Sequence, residues 1–268
     1  MKVGLSKVPT WQEWVADISQ DGKIVGVDPA VITVGMFCVK NTLVDVDGAR
    51  ELKKKLKSVG KGKLVAVEEN LVDKVWGSHR PVRPENPVFV LADRFTGIPP
   101  YTTPSMILTT GKPFAEKLTA LRKELTEKKS VGMVVSMLDE VAWLFNLRGS
   151  DIDYNPVFFA YALVTHDSVT LYINENKLSK EVKEHLQGVK IAPYEDIFEH
   201  VKSLGESIDP ETTTGKVFVS NKCSWALTLS LGETKVIEGH SLSKARLWKD
   251  VVLYRMQKLS RMRLNKRE

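Results

Sequence analysis

Residues 138–161 read LDEVAWLFNLRGSDIDYNPVFFAY. The stretch opens as an amphipathic helix. Leu138, Val141, Ala142, Leu144 and Phe145 recur at helical spacing, and Asp139 and Glu140 stand early, where the helix dipole favours carboxylates. It closes as a strand. From Val157 to Val164 the run VFFAYALV is apolar, aromatic and bounded upstream by Pro156, which predicts a strand buried on both faces. Between them lie Arg148-Gly149-Ser150-Asp151 and Tyr154-Asn155-Pro156. A polar loop fixed between two core elements is a common place for binding residues.

Upstream of this stretch, Thr10 caps a helix whose inner stripe is Trp11, Trp14, Val15 and Ile18. Strands are predicted at Ile24–Val27, Leu64–Val67 and Val88–Leu91. A helix at Ala49–Val59 turns Leu52 and Leu56 inward and a lysine-rich face to water. Strand, helix and strand in alternation give a layered α/β domain with a mostly parallel or mixed sheet. Asn70–Trp76 is a short amphipathic segment, and Pro81, Pro84 and Pro87 stiffen an extended stretch after it.

A second domain starts near Lys112. Phe114, Leu118, Leu121 and Leu125 form a buried helical stripe, while Glu116, Lys117, Arg122, Lys123 and Glu124 face water. Gly132–Val135 is its first strand. Val169–Ile173 pairs with Val157–Val164 as a hairpin across His166-Asp167-Ser168, which makes His166 a turn residue. Ser179 caps a helix at Lys180–Leu186, Ile191 sits in a short strand, and Tyr194–Leu204 is a helix with Ile197, Phe198, Val201 and Leu204 inward. Val217–Val219 closes the sheet and Ser224–Leu231 is the last helix.

With 268 residues, 43% of them hydrophobic, the chain has room for one large or two modest domains. No apolar run approaches the roughly 18 residues of a membrane span, and MKVGLSKVPT lacks the apolar core of a signal peptide, so no membrane partner and a cytoplasmic location are expected. Cys38 and Cys223 are too few for a disulfide framework and lack CxxC spacing. The net charge of +6 resides in residues 246–268; the remainder carries 31 residues of each sign, and no nucleic-acid partner is expected.

The residues do not spell out catalytic machinery. His79, His166, His185, His200 and His240 are scattered, no HExxH occurs, and the carboxylates mostly lie on helix faces beside lysines. Ser150-Asp151 has no histidine in local sequence. No catalytic residue and no metal ligand is therefore named.

NLRGSDIDYNPVFFAY resembles the motif at the heart of the second domain of the Xaa-Pro aminopeptidases, three-domain peptidases of the creatinase or pita-bread family. MKVGLSKVPTWQEW, IVGVDPAVIT, ENLVDKVWGSHRPVRPENPV and VSNKCSWALTLSLG, in that order, are similar to the family's first two domains, most closely in fungal members. The resemblance implies two layered α/β creatinase N-terminal-like domains with mixed sheets flanked by helices. The first, at 1–111, is expected to be incomplete; the second spans 112–245, and 246–268 is a basic tail foreign to the family. It implies release of an N-terminal residue that precedes proline, from proline-containing peptides, by a homodimer. In the family a third domain holds two metal ions, normally manganese, on two Asp, one His and two Glu side chains; that domain is expected to be absent, and no metal is expected on this chain. Segments 34–47, 98–111 and 246–259 depart from the family pattern and read as translated intron.

Five residues are the substrate-side candidates: Arg148, Asp151, Tyr154, Asn155 and Trp76. In one reading Arg148 and Asp151, helped by Tyr154 and Asn155, border the cleft facing the metal domain and orient a peptide's ends. In the other, Asp151 and Asn155 satisfy backbone donors and Arg148 pairs with a carboxylate. Trp76, in the WGxxRP segment, either lines a neighbouring subunit's substrate cleft or anchors its own loop. The rival to the peptidase reading is a stand-alone, non-catalytic interaction module that associates with a full-length enzyme or another partner.

Overall fold

The computed structural model describes residues 8–34, 48–60, 62–91, 113–209 and 215–240. The boundaries near 111 and 245, the tail, and nearly all of the three segments that depart from the family pattern lie outside these residues.

A six-stranded mixed sheet organises the described chain, in the order β10-β9-β4-β6-β7-β8. Its strands are β4 (Ser130–Val135), β6 (Tyr161–Thr165), β7 (Val169–Tyr172), β8 (Lys190–Ala192), β9 (Lys216–Ser220) and β10 (Val236–Gly239). The β4–β6 and β6–β7 pairs are antiparallel, while β4–β9, β9–β10 and β7–β8 are parallel. Successive side chains on a strand point to opposite faces. Met133, Val135, Ala162, Val164, Leu171 and Phe218 accordingly join one core, and Val134, Leu163, Tyr172, Val217 and Val219 join the other.

The first core lies under α4 (Phe114–Glu127), α5 (Leu138–Phe145) and α6 (Lys180–His185); the second lies under α7 (Ile197–Glu206) and α8 (Trp225–Leu231). Ser179 and Ser224 cap α6 and α8 through their hydroxyls, as serine does at a helix start. α7 and α8 approach closely enough that a Cβ on Gly205 would fall 2.2 Å from the Leu231 carbonyl oxygen.

The N-terminal portion is smaller. β1 (Ile24–Val27) and β2 (Lys63–Ala66) form a parallel pair crossed by α2 (Ala49–Val59), whose Leu52 and Leu56 are buried against α1 (Trp11–Asp17). It does not float free. Ile32, Val34 and Ala49 belong to the second core, and Arg50–Glu238 (2.5 Å) and Lys53–Glu233 (2.9 Å) pin α2 to the main body. The Ala49 amide donates to the Thr33 carbonyl at 2.8 Å, so the chain on either side of residues 35–47 meets itself.

Five expectations need correction. The α1 stripe is rotated: Gln12 and Ala16 are buried, whereas Trp14 and Ile18 are each 46% exposed, because α2 packs on the Ala16 side. The strand expected from Val157 begins only at Tyr161, since Val157 and the Phe159 N–H spend their backbone groups on the preceding loop. The strand expected at Val88–Leu91 forms as β3 (Phe89–Val90), but it pairs antiparallel with β5 (Leu147–Arg148) rather than with β1 or β2. Val217–Val219 does not close the sheet, because β10 lies outside it. Lys117 does not face water. It is 2% exposed, and its ammonium donates to the Trp143 carbonyl (2.6 Å) and Asn146 Oδ1 (2.5 Å) at the C-terminal end of α5, where carbonyls lack helical partners.

Candidate functional site

α5 stops at Asn146, which takes the left-handed conformation (φ 54°) and turns the chain into β5. The loop that follows is closed at its base. Asp151 N donates to the Val157 carbonyl (3.1 Å), and Asn155 N to that of Ile152 (3.1 Å). Gly149 is required there: a Cβ would stand 2.8 Å from Phe158 Cβ and 3.1 Å from the Val157 carbonyl oxygen.

Asp151 is buried at the root of this loop. One carboxylate oxygen pairs with Lys177 Nζ and also accepts the Phe159 backbone N–H at 2.7 Å, and the side chains of the ion pair are 0% and 2% exposed. Lys177 and Phe159 line a cavity of about 500 Å³ between the Arg80–Glu85 segment and the main body. Asp151 therefore shapes the cavity floor from behind.

The Arg80–Glu85 wall is clamped by polar contacts. Arg83 pairs with Glu195 and stacks on Tyr194 at 4.3 Å; Asn174 Nδ2 donates to Glu85 Oε1 (2.9 Å), and Asn86 Nδ2 to the Ser150 carbonyl (2.9 Å). Burial, with Tyr161 beside it, pushes the Tyr194 phenol above its usual range. The same clamp continues up to β3, where Val88 N, just before the strand, donates to the Lys177 carbonyl at 3.0 Å.

Arg148 pairs with no carboxylate among the described residues. Its Nη1 donates to the carbonyls of Ala142 (3.1 Å) and Leu147 (2.8 Å), and burial alone draws its pKa down. Tyr154 is fully exposed at the loop tip with φ 61°, a conformation that costs a bulky residue energy. Asn155 is exposed, and its carbonyl accepts Val157 N at 2.8 Å. Trp76 ends α3 (Leu71–Trp76), a helix with no buried residue, and is 48% exposed, so it is not a core anchor.

The structure thus places Arg148 at the end of β5, Asp151, Tyr154 and Asn155 on the loop that follows it, and Trp76 on a different element. Lys177, Phe159, Arg83 and Tyr194 also line the cavity, and sequence patterning does not single them out. Only the prolines around Arg83 hinted at a fixed segment; Lys177 carries no local signal. Among the described residues, no three His, Cys, Asp or Glu side chains converge to hold a metal ion. His166, His185 and His200 are engaged with the Ser130 carbonyl, the Phe145 carbonyl and the Tyr172 hydroxyl. No described helix is long and apolar enough to cross a membrane.

Comparison with known proteins gives a consistent picture. The family model of the creatinase/prolidase N-terminal domain matches residues 100–251. A "probable Xaa-Pro aminopeptidase P" of Botryotinia fuckeliana is 50% identical over 245 residues, covering 90% of this chain and 34% of its own length. One from Paracoccidioides brasiliensis is 48% identical over 245 residues, covering 89% and 35%. Among solved structures, the X-prolyl aminopeptidase of Caenorhabditis elegans, a cytosolic enzyme with a di-nuclear active site, superposes with a TM-score of 0.74 at 27% identity, over 91% of this chain and 35% of that one. The chain spans about a third of the length of the curated relatives it matches.

Proposed function

The chain belongs to the creatinase/prolidase N-terminal domain family, and from that premise we propose that it is the substrate-positioning and assembly part of an Xaa-Pro aminopeptidase. The observation that carries the reading is the match to fungal Xaa-Pro aminopeptidases along 90% of the chain at 50% identity. In this proposal the protein works in the cytoplasm and as a dimer, and its substrates are peptides with proline in the second position. Trp76 and the loop bearing Arg148 and Tyr154 face the peptide. Asp151 acts one step back, by fixing Lys177 and Phe159, and Asn155 by holding the loop turn.

Two-metal hydrolysis needs several oxygen and imidazole ligands around each ion. The described residues do not fit such a centre: no acidic and imidazole side chains converge, and the buried carboxylate of Asp151 is already bound to an ammonium. We therefore assign the metals, manganese in this reading, to ligands other than these, and no hydrolytic step to the described residues.

The test is metal analysis of the purified chain combined with an assay on Arg-Pro-Pro. The expected result is saturable binding of the peptide without turnover and without retained manganese. Turnover that chelation abolishes would overturn the assignment. A saturable protein partner with no peptide binding would favour the interaction module.

A further inference from the structure

The β3–β5 ribbon sets Phe89 directly opposite Arg148. Directly opposed residues of an antiparallel pair share a face, with Cβ atoms about 5 Å apart. Their neighbours Val90 and Leu147 pack into the first core, so Phe89 and Arg148 point outward, and Phe89 is 53% exposed.

The guanidinium of Arg148 is held from one end. Nη1 is anchored by the Ala142 and Leu147 carbonyls at 3.1 and 2.8 Å, and no carboxylate among the described residues pairs with the side chain. Burial without a compensating charge is also what depresses its pKa. The edge formed by Nε and Nη2 is left over, and that fork matches the two oxygens of a carboxylate. An anchored, half-buried cation without a counter-ion among the described residues, on the same ribbon face as an exposed aromatic residue, has the parts of a receptor for an anion with an apolar group next to it.

We propose that this ribbon face binds the C-terminal carboxylate of a peptide ending in proline, with the guanidinium edge on the carboxylate and the Phe89 ring against the pyrrolidine. The carbon that carries the carboxylate is itself a member of the proline ring, which suits two side chains that leave directly opposed positions of the ribbon. Proline also brings no backbone N–H, so an aromatic wall without acceptors strands no donor. The choice of proline rests on the peptide reading above; the carboxylate does not. The cavity of about 500 Å³ is not lined by either residue, so the ligand lies on an open face and binds weakly.

The experiment titrates N-acetylproline, its amide and N-acetylglycine into the full chain, followed by amide chemical shifts. The acid should bind about tenfold more tightly than the amide, as a charge-assisted bidentate contact does over a neutral one. Arg148→Gln should erase that difference. Phe89→Ala, at a half-exposed site that leaves the fold intact, should reduce affinity for N-acetylproline to that for N-acetylglycine. Equal binding of acid and amide, a preference that survives Arg148→Gln, or no saturable binding overturns the proposal. Arg-Pro-Pro separates it from the broader reading. If that peptide binds equally with a free or amidated C-terminus, the carboxylate site falls and the peptide reading stands. If N-acetylproline binds as expected and Arg-Pro-Pro does not, the face takes a small acylproline carboxylate but no peptide, and the proposal falls together with the peptide reading.

Discussion

Consider removing either half of the Asp151–Lys177 pair. Both side chains are sealed from solvent, at 0% and 2% exposure, so water cannot take over for a lost partner. Lys177→Met leaves a carboxylate whose remaining bond is the Phe159 N–H at 2.7 Å, and an uncompensated buried charge costs about 3–5 kcal/mol. Asp151→Ala is worse. It strands the ammonium and also the Phe159 donor, which adds roughly 1–3 kcal/mol. The double variant Asp151→Asn/Lys177→Met buries no charge and still offers an oxygen to Phe159, so its cost should fall to about 1 kcal/mol.

The signature is therefore a large coupling: the double variant should be more stable than either single one. Urea unfolding followed by circular dichroism measures all four proteins. Single-variant losses below about 1 kcal/mol would mean the pair behaves as a screened surface contact. A double variant that loses the sum of the singles would show that the two groups do not depend on one another. Either outcome would refute Asp151 as the residue that holds the cavity floor.

Gly205→Ala should cost about 3 kcal/mol in the same unfolding assay, because the added carbon meets the Leu231 carbonyl at 2.2 Å and two helices must part; no loss would disprove that close approach. Tyr154→Gly should raise stability by about 0.5–1 kcal/mol, since it removes left-handed strain at a site where the side chain touches little; a loss of stability would mean the ring is packed. Burial pushes the Cys223 thiol up to about 12, above its ordinary 9. A folded pKa raised in this way contributes stability that is complete below pH 9 and lost as pH climbs toward 12. In a Cys38→Ser background, a thiol reagent at neutral pH should modify Cys223 only as fast as the chain opens; immediate reaction would contradict its burial.

What could be read from the sequence was what local periodicity controls. The α2 stripe of Leu52 and Leu56, the β6–β7 hairpin and the serine caps of α6 and α8 each depend on residues a few positions apart, and each is found where its pattern predicted. The failures share a different cause. Lys117 looked solvated because its acceptors, Trp143 O and Asn146 Oδ1, belong to another helix. Residues 157–160 looked like strand because their apolar character was visible, whereas the capture of Phe159 N–H by Asp151 was not. The cavity wall depends on Arg83 meeting Glu195, which stands 112 positions away.

Asp151 and Arg148 stand in one motif, and the structure separates them by what surrounds each. Asp151 has found its cation and a backbone donor in a buried site, so its charge is spent within the fold. Among the described residues Arg148 meets only carbonyl dipoles, which orient a guanidinium without neutralising it. Of the two, the arginine is the one whose charge is still available to a ligand, and a sequence that places both in a single polar loop gives no means of telling them apart.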